Sequence, residues 1–170
     1  MTSRPGPPRR STHVGPPPFQ RFLDEHREPV YRFLVAAAGR AEADDCFQET
    51  FLAALRAYPR LAHGSNLRAW VMTIAHRKAM DAHRARRRRP EPVEDVPDRP
   101  AAARPDPDPE LWAAVRRLPA GQRGAVLLRY VADLTYRDVA AALGCTEEAA
   151  RQRVREGMRR LRDETREEET

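Results

Sequence analysis

Arg151, Arg155, Arg159 and Arg162 recur at helical spacing near the end of the chain, flanked by Gln152 and Arg153. A guanidinium can neutralise a phosphate or donate two hydrogen bonds to O6 and N7 of guanine, and a glutamine amide matches an adenine edge. The strip therefore suits duplex DNA. It also suits an ordinary solvated helix face whose glutamates absorb the arginines. A second constellation has the opposite sign: Asp45, Gln48, Glu49 and Leu52 share one helix face beside Asp44, an acidic and partly apolar patch in an otherwise basic segment. Such a patch repels DNA and welcomes a protein surface carrying Arg or Lys, or else it is a plain solvated face. A third, His76, Arg77, Lys78, His83, Arg84 and the run Arg86 to Arg89, makes a basic ridge at a helix end. Residues 1 to 89 hold 17 Lys and Arg against 8 Asp and Glu, so the ridge is the strongest electrostatic signal in the chain, and any phosphate binding by it would weaken steeply with salt.

Catalysis finds no comparable support. The chain shows no nucleophile beside a base, no metal-ligand spacing and no glycine-rich phosphate loop. His76 and His83 lie seven residues apart without an evident third ligand, and Asp44, Asp45 and Glu49 sit on a regular amphipathic helix that is better read as a docking face. Cys46 and Cys145 suggest neither a disulfide framework nor a zinc site. No enzyme activity, cofactor or metal is expected.

The elements that must position these residues are helical throughout. Thr135, with Asp138 three residues on, caps a helix whose Val139, Ala140 and Leu143 share a face; Gly144 ends it in the left-handed conformation, and Thr146 opens the next, with Glu147 and Glu148 in its first turn. Ala150, Val154, Met158 and Leu161 give that second helix its core face. Two helices joined by a tight glycine turn read as a helix-turn-helix, whose second helix enters the major groove.

Upstream, residues 1–18 hold six prolines and little to bury, and are expected to form a disordered arm. From residue 19 a helix carries Phe22, Leu23, His26, Val30, Phe33, Leu34 and Ala37 on one face, with Pro29 marking a kink or a fresh start. A second helix runs from about Ala41 to Tyr58, with Phe47, Thr50, Phe51, Ala54, Leu55 and Tyr58 inward. The loop Ala62 to Asn66 leads to a third, whose core face is Leu67, Trp70, Val71, Ile74 and Ala75 and which ends in the ridge. Residues 90–109, with seven prolines and six acids against two arginines, read as a flexible linker of net charge −4, able to reach about 60 Å if extended at roughly 3.1 Å per residue. Beyond it come a helix over Glu110–Leu118 and another around Gln122–Val131 with Val126, Leu127, Tyr130 and Val131 inward. The expected fold is all-α: residues 19–89 and 110–165 as two small helical domains joined by the linker, the second holding the helix-turn-helix.

The net charge of +6 favours a polyanionic partner. No apolar run approaches a membrane span and the first residues lack a signal-peptide core, so a soluble cytoplasmic protein without membrane contact is expected.

Three segments carry a resemblance: DDCFQETFLAALRAYPRL, LRAWVMTIAHRKAMDAHRARRRR and LPAGQRGAVLLRYVADLTYRDVAAALGCTEEAARQRVREGMRRLR. In order and spacing they resemble the two conserved regions of an extracytoplasmic-function (ECF) RNA polymerase sigma factor. The resemblance implies that Asp44, Asp45, Gln48, Glu49 and Leu52 dock on the β′ clamp helices of core RNA polymerase, with the β flap as a further contact. It implies that His63, Gly64, Ser65, Asn66, Trp70, Arg77 and Arg84 handle the −10 promoter element as the duplex opens, and that Glu148, Arg151, Gln152 and Arg155 read the −35 element. It also implies an anti-sigma partner and a linker threading the channel that later carries RNA. The chain departs from the commoner family residues at Arg77, Ala150 and Glu156, positions that bear on promoter sequence. The alternative is a stand-alone helix-turn-helix regulator that never joins polymerase; it leaves the acidic face and the Trp70 helix without a task.

Overall fold

The computed structural model describes residues 16–62, 64–88 and 109–168; residues 1–15 of the N-terminal arm, His63, Arg89, the linker up to residue 108 and residues 169–170 lie outside the described residues. The described residues form helices and connecting turns: α1 (Phe19–Ala38), α2 (Arg40–Ala57), α3 (Leu67–Arg88), α4 (Pro109–Arg117), α5 (Ala120–Val126), α6 (Tyr136–Leu143) and α7 (Glu147–Glu168). α1, α2 and α3 pack on one another; α5 and α6 pack on α7, and α4 also reaches it.

The first group closes around Phe22, which is fully buried. Its ring lies 5.1 Å from Tyr58, 5.7 Å from Trp70 and 6.2 Å from Phe51, so one side chain on α1 meets α2, the turn after it and α3. Pro29 neither kinks the chain into two helices nor starts a new one: α1 runs through it. The lost backbone bond costs about 3 kcal/mol or more, but Phe22 on one side and Val30, Phe33 and Leu34 on the other are all fully buried and fasten both halves to the same core. Gly39, at φ +88°, turns the chain from α1 directly into α2.

α2 corrects the expected stripe. Leu55 is half exposed, and Cys46 and Ala43 are buried in company with Thr50, Phe51 and Ala54. The inward face is therefore rotated toward the small residues, which lets α2 lie close to α1 and α3. Cys46 is chemically quiet there: burial, with Glu42, Glu49 and Asp45 adding to it, pushes its thiol up to about 11.

In the second group the helix-turn-helix forms as its sequence requires. The Asp138 amide donates to Thr135 Oγ1 at 3.2 Å, and the Ala149 amide to Thr146 Oγ1 at 3.1 Å. Gly144 takes φ +61°, and the Cys145 amide reaches back to the Ala140 carbonyl at 3.0 Å, closing α6 with a Schellman turn. α5 does not continue regularly to Val131. It passes into a π-helical turn over Leu127–Val131, in which the Ala132 amide bonds to the Leu127 carbonyl at 3.0 Å. The wider turn brings Leu127 and Leu128 inward and leaves Tyr130, expected in the core, 57 % exposed.

His76 also departs from expectation. It is buried rather than part of the ridge. Burial, and beyond it the guanidinium groups of Arg123, Arg77 and Arg84, lowers its pKa to about 4. The unfolded chain takes up that proton first as pH falls, so this contribution to stability is complete above pH 6.5 and is lost between about pH 6.5 and 4, by on the order of 3 kcal/mol if fully expressed. Urea titrations at several pH values should show a shallower acid loss for His76→Gln than for wild type; equal slopes would contradict the burial. Phe22→Ala should cost about 3 to 5 kcal/mol in the same titration, and a loss below 1 kcal/mol would deny Phe22 its place in the core.

Candidate functional site

Three surfaces emerge from this framework. On α2, Asp44, Asp45, Gln48, Glu49 and Leu52 are all exposed. The rotation of α2 adds Leu55 to Leu52, each about half exposed (50 % and 52 %), so the face pairs two leucines with carboxylates. Sequence periodicity assigned Leu55 to the core and missed it. One carboxylate is engaged: Lys78 on α3 reaches Glu49 at 3.1 Å. That contact removes Lys78 from the basic ridge and ties α3 to the rim of the acidic face.

The second surface is the turn before α3 and the outer side of that helix. Gly64 takes φ +75°, and Ser65 Oγ donates to the Ala62 carbonyl at 2.7 Å. Asn66 caps α3, its Oδ1 accepting from the Ala69 amide at 3.1 Å, while its Nδ2 faces Asp138 Oδ2 at 3.4 Å. Trp70 is half-buried against Phe22 and Tyr58, so its ring belongs first to the core. Arg77 is exposed, and Arg84 is exposed with Asp81 at 3.0 Å. The structure thus brings Gly64, Ser65 and Asn66 together at one end of α3 and leaves Arg77 and Arg84 along its flank. His83 is not on an open ridge either: burial, then Arg123, Arg87 and Arg86, lowers its pKa.

On α7, Glu148, Arg151, Gln152 and Arg155 are exposed together. They hold one another. Arg151 pairs with Glu147, Arg155 donates to Gln152 Oε1 at 2.8 Å, and Gln152 donates to Glu156 Oε1 at 2.6 Å. That amide bond is the first cause holding the Glu156 carboxyl below its usual range. Pairs so exposed are worth about 0 to 1 kcal/mol each, so the side chains can turn to another partner at little cost. Tyr136, the first residue of α6, was not singled out from the sequence. Its ring carries Arg151 on one contact (4.5 Å) and Arg129 on another (5.4 Å). An aromatic at a helix start, two residues before the cap's Asp138, gave no periodic signal, because its partners lie 7 residues before and 15 after it. The result is two guanidinium groups, Arg129 and Arg151, over one aromatic ring, an arrangement suited to phosphate oxygens and base edges.

No helix among the described residues is long and apolar enough to cross a membrane.

Comparison with known proteins agrees with this organisation. Residues 22–89 match Sigma-70 region 2 and residues 109–161 match Sigma-70 region 4. The chain is 38 % identical over 163 residues to the ECF RNA polymerase sigma factor SigD of Mycobacterium tuberculosis, covering 85 % of this chain and 76 % of that one. It is 34 % identical over 141 residues to SigC of the same organism, covering 79 % and 76 %. Among solved structures, the sigma factor RpoE of Bartonella quintana, in complex with the anti-sigma factor NepR, superposes with a TM-score of 0.73 at 26 % identity, covering 85 % of this chain and 94 % of that one. With both conserved regions in order along one helical chain, the protein belongs to the extracytoplasmic-function sigma factors of bacterial RNA polymerase.

Proposed function

We propose that this chain joins core RNA polymerase in the cytoplasm, directs it to promoters with separate −10 and −35 elements, and helps open the duplex. The observation that carries the reading is the presence of both family regions in one chain, the first bearing an exposed acidic and leucine face and the second an exposed arginine strip. Polymerase supplies the chemistry of RNA synthesis; this chain supplies recognition and is not itself an enzyme.

Each surface then has a partner of matching chemistry. Asp44, Asp45, Gln48, Glu49 and Leu52 dock on the β′ clamp helices, with Leu55 extending the apolar part, and the second group meets the β flap. Residues 19–89 act as the first domain and handle the −10 element through His63 to Asn66, Trp70, Arg77 and Arg84; the half-buried Trp70 serves that role chiefly by setting the angle of α3. Residues 110–165 act as the second domain and read the −35 element through Glu148, Arg151, Gln152 and Arg155, with 90–109 as the connection. An anti-sigma protein is a further partner, by analogy with the Bartonella relative solved with NepR.

Reconstitution tests this directly. Core polymerase plus this chain should give promoter-dependent run-off transcripts from DNA fragments on which core alone is silent; no specific transcripts from any fragment of the source genome would overturn the reading. Within that assay, Arg151→Ala and Arg155→Ala should each weaken −35 recognition by about 1 to 3 kcal/mol, roughly fivefold to 150-fold. Tyr136→Ala should lower it less, by loosening Arg151, and Tyr136→Phe should restore it because the ring face is kept. Unchanged transcription by both arginine variants would remove the strip from the recognition surface.

A further inference from the structure

Gln152 makes two hydrogen bonds from opposite ends of one amide: its Oε1 accepts from Arg155 Nη2 at 2.8 Å, and its Nε2 donates to Glu156 Oε1 at 2.6 Å. The partners dictate which end is which. A guanidinium can only donate and a carboxylate can only accept, so the amide turns its carbonyl toward Arg155 and its nitrogen toward Glu156. Glu156 is in turn held from another helix: Gln122 Nε2 on α5 donates to its Oε2 at 3.0 Å. The same two donors, Gln152 ahead of Gln122, hold the carboxyl below its usual range against the opposing effect of desolvation. The two helices are fixed against each other one residue further on. A Cβ on Gly157 would lie 2.7 Å from Val126 Cγ2 and 3.5 Å from both Gln122 Cβ and the Gln122 carbonyl oxygen, so α7 crosses α5 there with no room for a side chain.

We propose that Glu156 sets the −35 sequence preference without reading a base: as a positioning residue gripped from α5, it braces the Gln152 amide and so fixes which edge of that amide meets the major groove. The proposal deepens the promoter-binding reading and rests on it; the brace itself does not. A glutamine recognises a base edge with one N–H donor and one carbonyl lone pair in a set order. The brace uses one of two N–H groups and one of two lone pairs, so each end of the amide keeps one for a base. An unbraced glutamine must order its whole side chain on binding, and that cost falls on the sequence-specific complex alone, where it subtracts from discrimination. Glu156 also places a negative charge on a helix that approaches phosphates, which lowers affinity for duplex of any sequence. The brace therefore favours discrimination at the expense of general affinity. A basic side chain in its place would do the reverse: it would attract phosphate and, as a donor, compete with Arg155 for Gln152 Oε1.

The test uses the full chain with core polymerase, on a promoter found in the run-off assay whose −35 element has been randomised, with bound and unbound DNA sequenced. Glu156→Gln removes the charge and the strict acceptor. Gln122→Met keeps the bulk of the side chain that grips Glu156 and removes its donor. The position read by Gln152 is located as the one that Gln152→Ala relaxes. Discrimination there should fall roughly two- to twelvefold for Glu156→Gln, the cost of ordering one rotamer-rich side chain on binding, and in the same direction for Gln122→Met, whose side chain belongs to another helix. Affinity of the Glu156→Gln chain for random-sequence duplex should rise at the same time, whereas loss of a merely structural residue would lower both. In NMR spectra of the free full chain, Gln122→Met should shift the side-chain amide signals of Gln152 through the carboxylate between them. Unmoved Gln152 signals overturn the brace. Moved signals with no position relaxed by Gln152→Ala, or with unchanged discrimination in both other variants, overturn its role in sequence preference. Coupled signals in a wild type that yields no promoter at all mark failure of the promoter-binding reading, and overturn the functional half of the proposal with it.

Discussion

Much of this structure depends on how few large apolar side chains the first domain has and on where they meet. Phe22, Phe51, Tyr58 and Trp70 lie within about one ring contact of each other, and burying them is the principal term that can offset the ordering of three long, highly charged helices. Their meeting point fixes the roll of every helix. With Phe51 and Tyr58 inward, α2 must present Asp44, Asp45, Gln48, Glu49 and Leu52 outward; with Trp70 inward, α3 must carry Arg77 and Arg84 on its flank and set Asn66 at its start. The candidate functional surfaces are the complement of the aromatic core.

Hydrogen bonds and charge then distinguish the surfaces. On α2 the carboxylates surround exposed leucines, a combination suited to a basic and apolar protein surface rather than to nucleic acid. On α7 Arg151 is held over Tyr136, and Arg151 and Arg155 are held by weak, exposed pairs, so they are ordered without being committed. The second domain carries nearly balanced charge, with 12 basic and 11 acidic residues from 110 to 170. Its affinity for a polyanion must come from where those arginines sit, and the cap at Thr146 and the turn at Gly144 decide that position.

The caps, the left-handed glycine, the acidic face and the arginine strip were legible in the sequence because each is a local pattern: a hydroxyl three residues before an amide, a glycine after a periodic run, charges at helical spacing. What escaped depends on contacts distant along the chain. Leu55 fits the apolar period of α2, but the helix turns its small residues inward. Tyr130 fits the period of a regular α5, but the π-helical turn shifts the register. His76 reads as part of a basic run, but it is buried, with α5 approaching it at Gly124, 48 residues later. Tyr136 gains its role from Arg129 and Arg151 across the helix-turn-helix. The approach of α5 to α3, where a Cβ on Gly124 would meet His76 Cε1 at 2.6 Å, has no sequence signature, since a glycine facing a histidine looks like any other glycine in a helix.

The claim on which the account turns is that the outward face of α2 is the polymerase-docking surface of a sigma factor. Capture of core RNA polymerase on the tagged full-length chain measures it, comparing wild type with an Asp44→Lys, Asp45→Lys double variant. That pair leaves the Glu49–Lys78 contact and the aromatic core in place, and circular dichroism verifies the fold. The account predicts that wild type retains core and that the folded double variant loses most of it. Equal retention of core by the two proteins would contradict the assignment of that face.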